Sequence, residues 1–160
     1  MPAHHDEREF DYTTPQLFAL VADIERYPEF LPWVKAVRIV ERGENYYISD
    51  VIVHFKHISE QYRCKVLLSP PAGPEDAGEI HVELVKGPFH HLMNHWQFLP
   101  LPPVDTPPNS RIVFDVDFAF QSKLLDKLIG LLFARAVQKM VAAFSERADT
   151  LYGADDKNIA

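Results

Sequence analysis

The chain has one cysteine, Cys64, in 160 residues. A lone thiol closes no disulfide within the chain and supplies no cysteine-based zinc site, so the fold must be held by its core. Cys64 itself reads as a small buried hydrophobe. Glycine is scarce too, at 6 residues, and none of them builds a phosphate-cradling loop. There is no Gly-x-Ser-x-Gly elbow, and no motif sets a nucleophile beside a base. Excess positive charge is missing: 23 Asp and Glu stand against 16 Lys and Arg, a net charge of -7. That argues against a general affinity for nucleic acid backbones and leaves only a local basic patch as a route to them. The longest strongly apolar run, Leu124 to Val137, is broken by Asp126, Lys127 and Arg135 and is too short to span a bilayer. The opening Met-Pro-Ala-His-His-Asp-Glu-Arg has neither the basic nor the apolar region of an export signal. The expected location is therefore cytoplasmic, with peripheral contact at the inner face of the membrane as an extension of it.

What is present fits one ordinary domain, with 47% hydrophobic and 24% charged residues, expected over 1–153 with 154–160 as a disordered tail. A short strand around Glu9 to Tyr12 is followed by Thr13-Thr14-Pro15-Gln16, a capping box with proline in the first turn. Leu17, Phe18, Leu20, Val21 and Ile24 then recur at helical spacing. From Val34 the period changes, and β-branched and aromatic runs predict strands near 34–42, 45–56, 59–69, 78–86, 91–99 and 110–120, an antiparallel meander. In the last of these Ile112, Phe114, Val116, Phe118 and Phe120 share one face, opposite Asp115 and Asp117. The final element, residues 122–151, reads as a helix about 45 Å long at about 1.5 Å per residue, with Ser122 as its N-cap.

That helix is apolar on more sides than one sheet can cover. Along its second half Phe133, Ala136, Val137, Met140, Phe144 and Leu151 keep to one stripe. In its first half Leu124, Leu125, Leu128, Ile129, Leu131, Leu132 and Phe133 wrap most of the cylinder. The excess calls for a companion helix, a dimer partner, a membrane surface, or a ligand held between helix and sheet. The expected class is α+β: a curved antiparallel sheet of about six to seven strands wrapped round a long C-terminal helix, with short helices after the first strand. A curved sheet and a straight rod leave a gap, and such gaps become apolar ligand sites.

Two further groups of residues invite a function. Tyr27-Pro-Glu-Phe-Leu-Pro-Trp33 puts three aromatics and a leucine on a connection that Pro28 and Pro32 keep out of regular helix. It serves either as a core plug or as a wall meeting something apolar. The 8 histidines include His90, His91 and His95, with His81, His54 and His57 elsewhere in the strands. Zinc needs three or four ligands converging on a point, whereas strand alternation sends His90 and His91 to opposite faces. No metal is expected, and no catalytic residue is assigned.

The run Val21-Ala-Asp-Ile-Glu-Arg-Tyr-Pro-Glu-Phe-Leu-Pro-Trp33, with Gly87-Pro-Phe89, Asn94-His-Trp-Gln-Phe98 and a closing helix ending Phe144-x-x-Arg147-Ala148-x-x-Leu151-Tyr152-Gly153, resembles the coenzyme Q-binding branch of the START-like, polyketide cyclase-related superfamily. The resemblance covers nearly the whole chain and departs from the pattern at Val34, where many relatives carry Cys. It implies a helix-grip fold with a deep hydrophobic cavity under the C-terminal helix, which holds a lipid such as ubiquinone without chemistry on it. The same family includes bacterial ribosome association toxins, described as hindering the joining of ribosomal subunits. Another branch performs aromatase or cyclase reactions on polyketides.

The leading expectation is non-enzymatic binding and delivery of a hydrophobic lipid, ubiquinone, in support of respiratory electron transport or quinone biosynthesis, with no cofactor required. Burying some 400 Å² of ligand would contribute of order 10 kcal/mol before association costs. In that reading Tyr27, Phe30, Leu31 and Trp33 form a gate, Phe89 and Trp96 the sheet-side wall, and Leu125, Leu128, Ile129, Leu132 and Phe133 the lid. Lys123, Lys127 and Arg135 meet a membrane or a partner. The alternative is a regulator that meets the ribosome through the basic helix edge. The third reading, an aromatase/cyclase-type enzyme, requires buried titratable groups at the cavity, such as Glu83 or His54. No DNA partner is expected.

Overall fold

The computed structural model describes residues 3–55, 58–103 and 106–153. Among these, seven strands form one antiparallel sheet: β1 (Ala3–Phe10), β2 (Val34–Gly43), β3 (Tyr46–Phe55), β4 (Ile58–Ser69), β5 (Gly78–Lys86), β6 (Phe89–Pro100) and β7 (Ser110–Phe120). Their order across the sheet is β1-β7-β6-β5-β4-β3-β2, so β2 to β7 are a meander and β1 joins its far edge. Helix α1 (Thr14–Ala22) and a 3-10 helix (Ile24–Glu29) carry the chain from one edge of the sheet to the other, and α2 (Lys123–Ala148) follows β7. The curved sheet with its C-terminal helix is the α+β helix-grip arrangement that the alternating strands and the over-apolar helix predict.

Local chemistry explains the joints. The capping box is complete: the Thr13 hydroxyl accepts the Gln16 N–H, and the Gln16 side chain accepts the Thr13 N–H at 2.9 Å. Leu17, Phe18, Leu20 and Val21 are buried below it. Between β2 and β3 the chain reverses with Asn45 at φ 65°, a left-handed conformation that asparagine tolerates better than most residues. Ser122 caps α2 by accepting the Leu125 N–H at 3.2 Å, as the sequence predicts.

Four expectations need correction. The first strand is Ala3–Phe10 and not 9–12, paired with β7 from Ala3 opposite Asp117 to Phe10 opposite Ser110. Its charged residues hid it, because on an edge strand they are held by cross-strand partners such as Asp115 for His5 and Arg111 for Glu9. β6 starts at Phe89, with a bulge between Phe89 and His91. The first three residues of Tyr27–Trp33 are not loop, since the 3-10 helix runs through Pro28 to Glu29 and Phe30 donates back to the Tyr27 carbonyl at 3.1 Å. Helix α2 is not a straight rod, as its axis turns by 61° between Lys123–Leu131 and Arg135–Gly153. The exposed Gly130 lies just before that turn. His57 and the tail 154–160 lie outside the described residues.

The core gathers where α1, the 3-10 helix and the C-terminal half of α2 meet the sheet. Leu17 and Phe98 are fully buried, beside Ile80, Val66, Tyr47, Leu31, Phe144 and Ala148. The end of α2 is tied down by hydrogen bonds: Tyr12 donates to Asp149 at 2.5 Å and Tyr152 to the Gln16 carbonyl at 2.8 Å.

Candidate functional site

Between α2 and the open half of the sheet lies an apolar cavity of about 270 Å³. Its walls follow from strand alternation. β7 contributes Phe114, Val116, Phe118 and Phe120, β6 contributes Phe89, Leu92 and Asn94, and β4 contributes Ile58, Glu60 and Tyr62. Trp33 and Val53 close one side, and Ile129, Ala136, Val137, Lys139 and Met140 of α2 close the top. Phe89 is fixed by its neighbours, stacked on Phe120 at 4.6 Å and edge-on to Tyr62 at 5.4 Å. Burial raises the Tyr62 phenol above the usual tyrosine range, so it stays neutral. Cys64 is buried and its thiol is pushed up to about 12, which leaves it inert as a nucleophile.

The residues expected around a ligand divide. Trp33, Phe89 and Ile129 line the cavity. Tyr27, Phe30 and Leu31 do not form a gate, because Leu31 is 2% exposed in the core and the two aromatics stand edge-on to Phe144 at 5.4 and 5.2 Å. Tyr27 also donates its hydroxyl to the Val21 carbonyl, and Arg147 lies over the Phe30 ring at 5.2 Å while pairing with Glu29 at 3.1 Å. These aromatics dock the end of α2. Trp96 packs against Phe114 at 4.2 Å and Phe144 at 5.4 Å, in a neighbouring crevice.

The lid shifts in the same way. Leu125 is half-buried outside the cavity lining, Leu128 is 44% exposed, and the side chains of Leu132 and Phe133 lie outside the described set. Glu83 and His54 are both exposed and do not line the cavity. Among the described residues no three His, Cys, Asp or Glu side chains could hold a metal ion together. Sequence reading passed over Asn94, Tyr62, Leu92 and Val53. Their signal is parity, since Leu92, Asn94, Trp96 and Phe98 are alternate residues of one strand and Asn94 is the polar member of that inward row.

A second feature lies on the outside of α2. Leu124 and Leu131 are 79% and 78% exposed, and Lys123, Lys127 and Arg135 are exposed with them. Over Lys123–Leu131, at about 100° per residue, Lys123, Lys127, Leu131, Leu124 and Leu128 fall within an arc of about 140°. Asp126 is turned away from that arc and accepts the Phe120 N–H at 3.0 Å. The outward face is therefore basic and apolar on an otherwise acidic chain. No single helix among the described residues is long and apolar enough to cross a membrane.

A sheet gripping a C-terminal helix over an apolar cavity matches a known family. The family model described as polyketide cyclase / dehydrase and lipid transport aligns with residues 10–145. The chain belongs to this polyketide cyclase and lipid transport family. Family relatives include the ribosome association toxin RatA of Rickettsia prowazekii, 37% identical over 139 residues that cover 86% of this chain and 89% of that protein. The mitochondrial coenzyme Q-binding protein COQ10 of Drosophila melanogaster is 31% identical over 83% of this chain, spanning 52% of that protein. The solution structure of an 18 kDa protein from Caulobacter crescentus superposes with a TM-score of 0.71 at 31% identity, over 96% of this chain and 99% of that one.

Proposed function

We propose that this chain is a ribosome-directed regulator that binds a ribosomal subunit and hinders the joining of subunits. The observation that carries the reading is its similarity, along 86% of its length and at 37% identity, to a protein named for ribosome association. The outer face of α2 supplies the physics: Lys123 and Lys127 offer a local positive patch to phosphate, the exposed leucines beside them add apolar contact, and Arg135 adds an exposed cation beyond the bend. Such a role requires no catalytic residue, metal or cofactor. It belongs in the cytoplasm, where bacterial ribosomes are.

The test mixes the full chain with separated small and large bacterial subunits and resolves them on a sucrose gradient. Loss of the joined-ribosome peak, with the chain co-migrating with one subunit, is expected. A triple K123E/K127E/R135E variant should restore joining. An unchanged gradient with the unaltered chain would sink the reading.

A second reading keeps the cavity in view. The coenzyme Q-binding relative and the apolar chamber favour carriage of a quinone such as ubiquinone. Solvent extraction and mass spectrometry of the chain purified from its native host decide that one, with a stoichiometric quinone expected.

A further inference from the structure

A row of four titratable side chains crosses the outer face of the sheet, on the side away from α2 and its cavity. Register sets His5 of β1 opposite Asp115 of β7, Asp115 opposite His95 of β6, and His95 opposite His81 of β5. Directly opposed residues of an antiparallel pair project on one side. Ile80 and Trp96, buried next along each strand, leave His81 and His95 pointing outward. At one end of the row His5 is engaged by Glu7 and Asp115. At the other end two imidazoles face each other, their centroids 5.4 Å apart and their planes inclined by 59°. Nε2 of His95 donates to Glu79 at 2.8 Å, and Nε2 of His81 stands 3.8 Å from Glu83. With the proton on Nε2, the lone pair of a neutral imidazole is on Nδ1. A carboxylate on the far nitrogen is also what orients a metal-ligating histidine and raises its basicity.

We propose that His81 and His95 form a two-nitrogen site for a borderline divalent cation, Zn²⁺ or Ni²⁺, gripped by Nδ1 of each ring. An ion held by two nitrogens at about 2.0–2.1 Å sets their ring centroids roughly 5 Å apart, so the rings need only a small turn to meet it. Imidazole suits these ions, whereas Mg²⁺ and Ca²⁺ take oxygen ligands. Glu79 and Glu83 hold negative charge beside the ion without ligating it. No three His, Cys, Asp or Glu side chains among the described residues converge on one ion, so water fills its remaining positions and binding is weaker than at a closed structural zinc centre. The ion ties β5 to β6 and stabilises the folded chain by mass action. The inference is independent of the ribosome-directed reading.

The experiment titrates the purified full chain, free of any affinity tag, with zinc chloride and follows its imidazole resonances by nuclear magnetic resonance. The His81 and His95 signals move together as one equivalent binds, and the thermal midpoint rises. His81→Gln and His95→Gln each weaken binding by at least about tenfold, the lower bound set by the cost of losing a carboxylate that merely orients a ligand. His91→Gln, on the same face beside Asp117, binds zinc as the unaltered chain does. His81→Thr, a residue at home in a strand, stands in should glutamine not fold there. Zinc that leaves both signals unmoved, or that moves His5 or His91 in their place, would overturn the proposal. So would affinity unchanged in the folded variants of His81 and His95.

Discussion

At the scale of the residue, the outer face of the sheet is a ladder of histidines held by carboxylates. His5 of β1 contacts Glu7 at 2.8 Å and Asp115 of β7 at 2.5 Å, His95 contacts Glu79 at 2.8 Å, and His91 contacts Asp117 at 3.0 Å. On this face His91 and His95 point outward with the acids, and Trp96 faces in. The hydrogen bond to Glu7 first, and then that to Asp115, raises the His5 pKa above its ordinary 6.5. A raised folded value means that protonated His5 favours the folded state. Its contribution is complete below pH 6.5 and is lost as pH rises through the higher folded value. Imidazole titration by nuclear magnetic resonance should give a His5 midpoint above 6.5, with Glu7→Gln lowering it more than Asp115→Asn. A midpoint at or below 6.5 would contradict the pairing.

At the scale of the element, α2 is two different helices joined at a bend. Its C-terminal half is anchored, since Phe144 is 5% exposed and meets Tyr27, Phe30 and Trp96 edge-on at 5.2 to 5.4 Å. Its N-terminal half covers the cavity with Ile129 while Leu124 and Leu131 stand in solvent. Truncating Phe144 to Ala should therefore cost about 3–5 kcal/mol, a large share of the roughly 5–15 kcal/mol typical of a domain. Leu131→Gln should stay within about 0.5 kcal/mol. Urea unfolding of both variants reads the contrast, and equal losses would refute the two-part description.

The same contrast shows what the sequence could and could not reveal. Strand alternation from Val34 to Phe120 and the capping box at Thr13 were readable because each is a local pattern. The surplus of leucines in α2 was readable as an excess, but a straight helical wheel cannot say which leucines turn outward once the axis bends by 61°. The aromatic run Tyr27–Trp33 was recognisable as apolar, yet its destination was set by Phe144, over a hundred residues away. Only Trp33, held to β3 where its carbonyl accepts the His54 N–H at 2.8 Å, reached the cavity.

At the scale of the whole molecule, charge bears on the proposed ribosome-directed role. A chain of net charge -7 disfavours a nucleic acid surface overall, so a local basic patch such as that of Lys123 and Lys127 would have to make the contact. Under the proposed ribosome-directed role, association would be oriented, with the outer face of α2 leading. Orientation of this kind has a measurable signature in salt. Each cation that neutralises a phosphate releases condensed counterions, so the logarithm of the binding constant falls linearly with the logarithm of salt concentration. Each of Lys123→Ala, Lys127→Ala and Arg135→Ala should weaken subunit binding and reduce the magnitude of that slope by about 1. Leu124→Gln should weaken binding and leave the slope unchanged, because an apolar contact releases no ions. Co-sedimentation at several salt concentrations separates the two effects. A slope unaffected by all three basic substitutions would mean that the subunit meets some other face of the molecule.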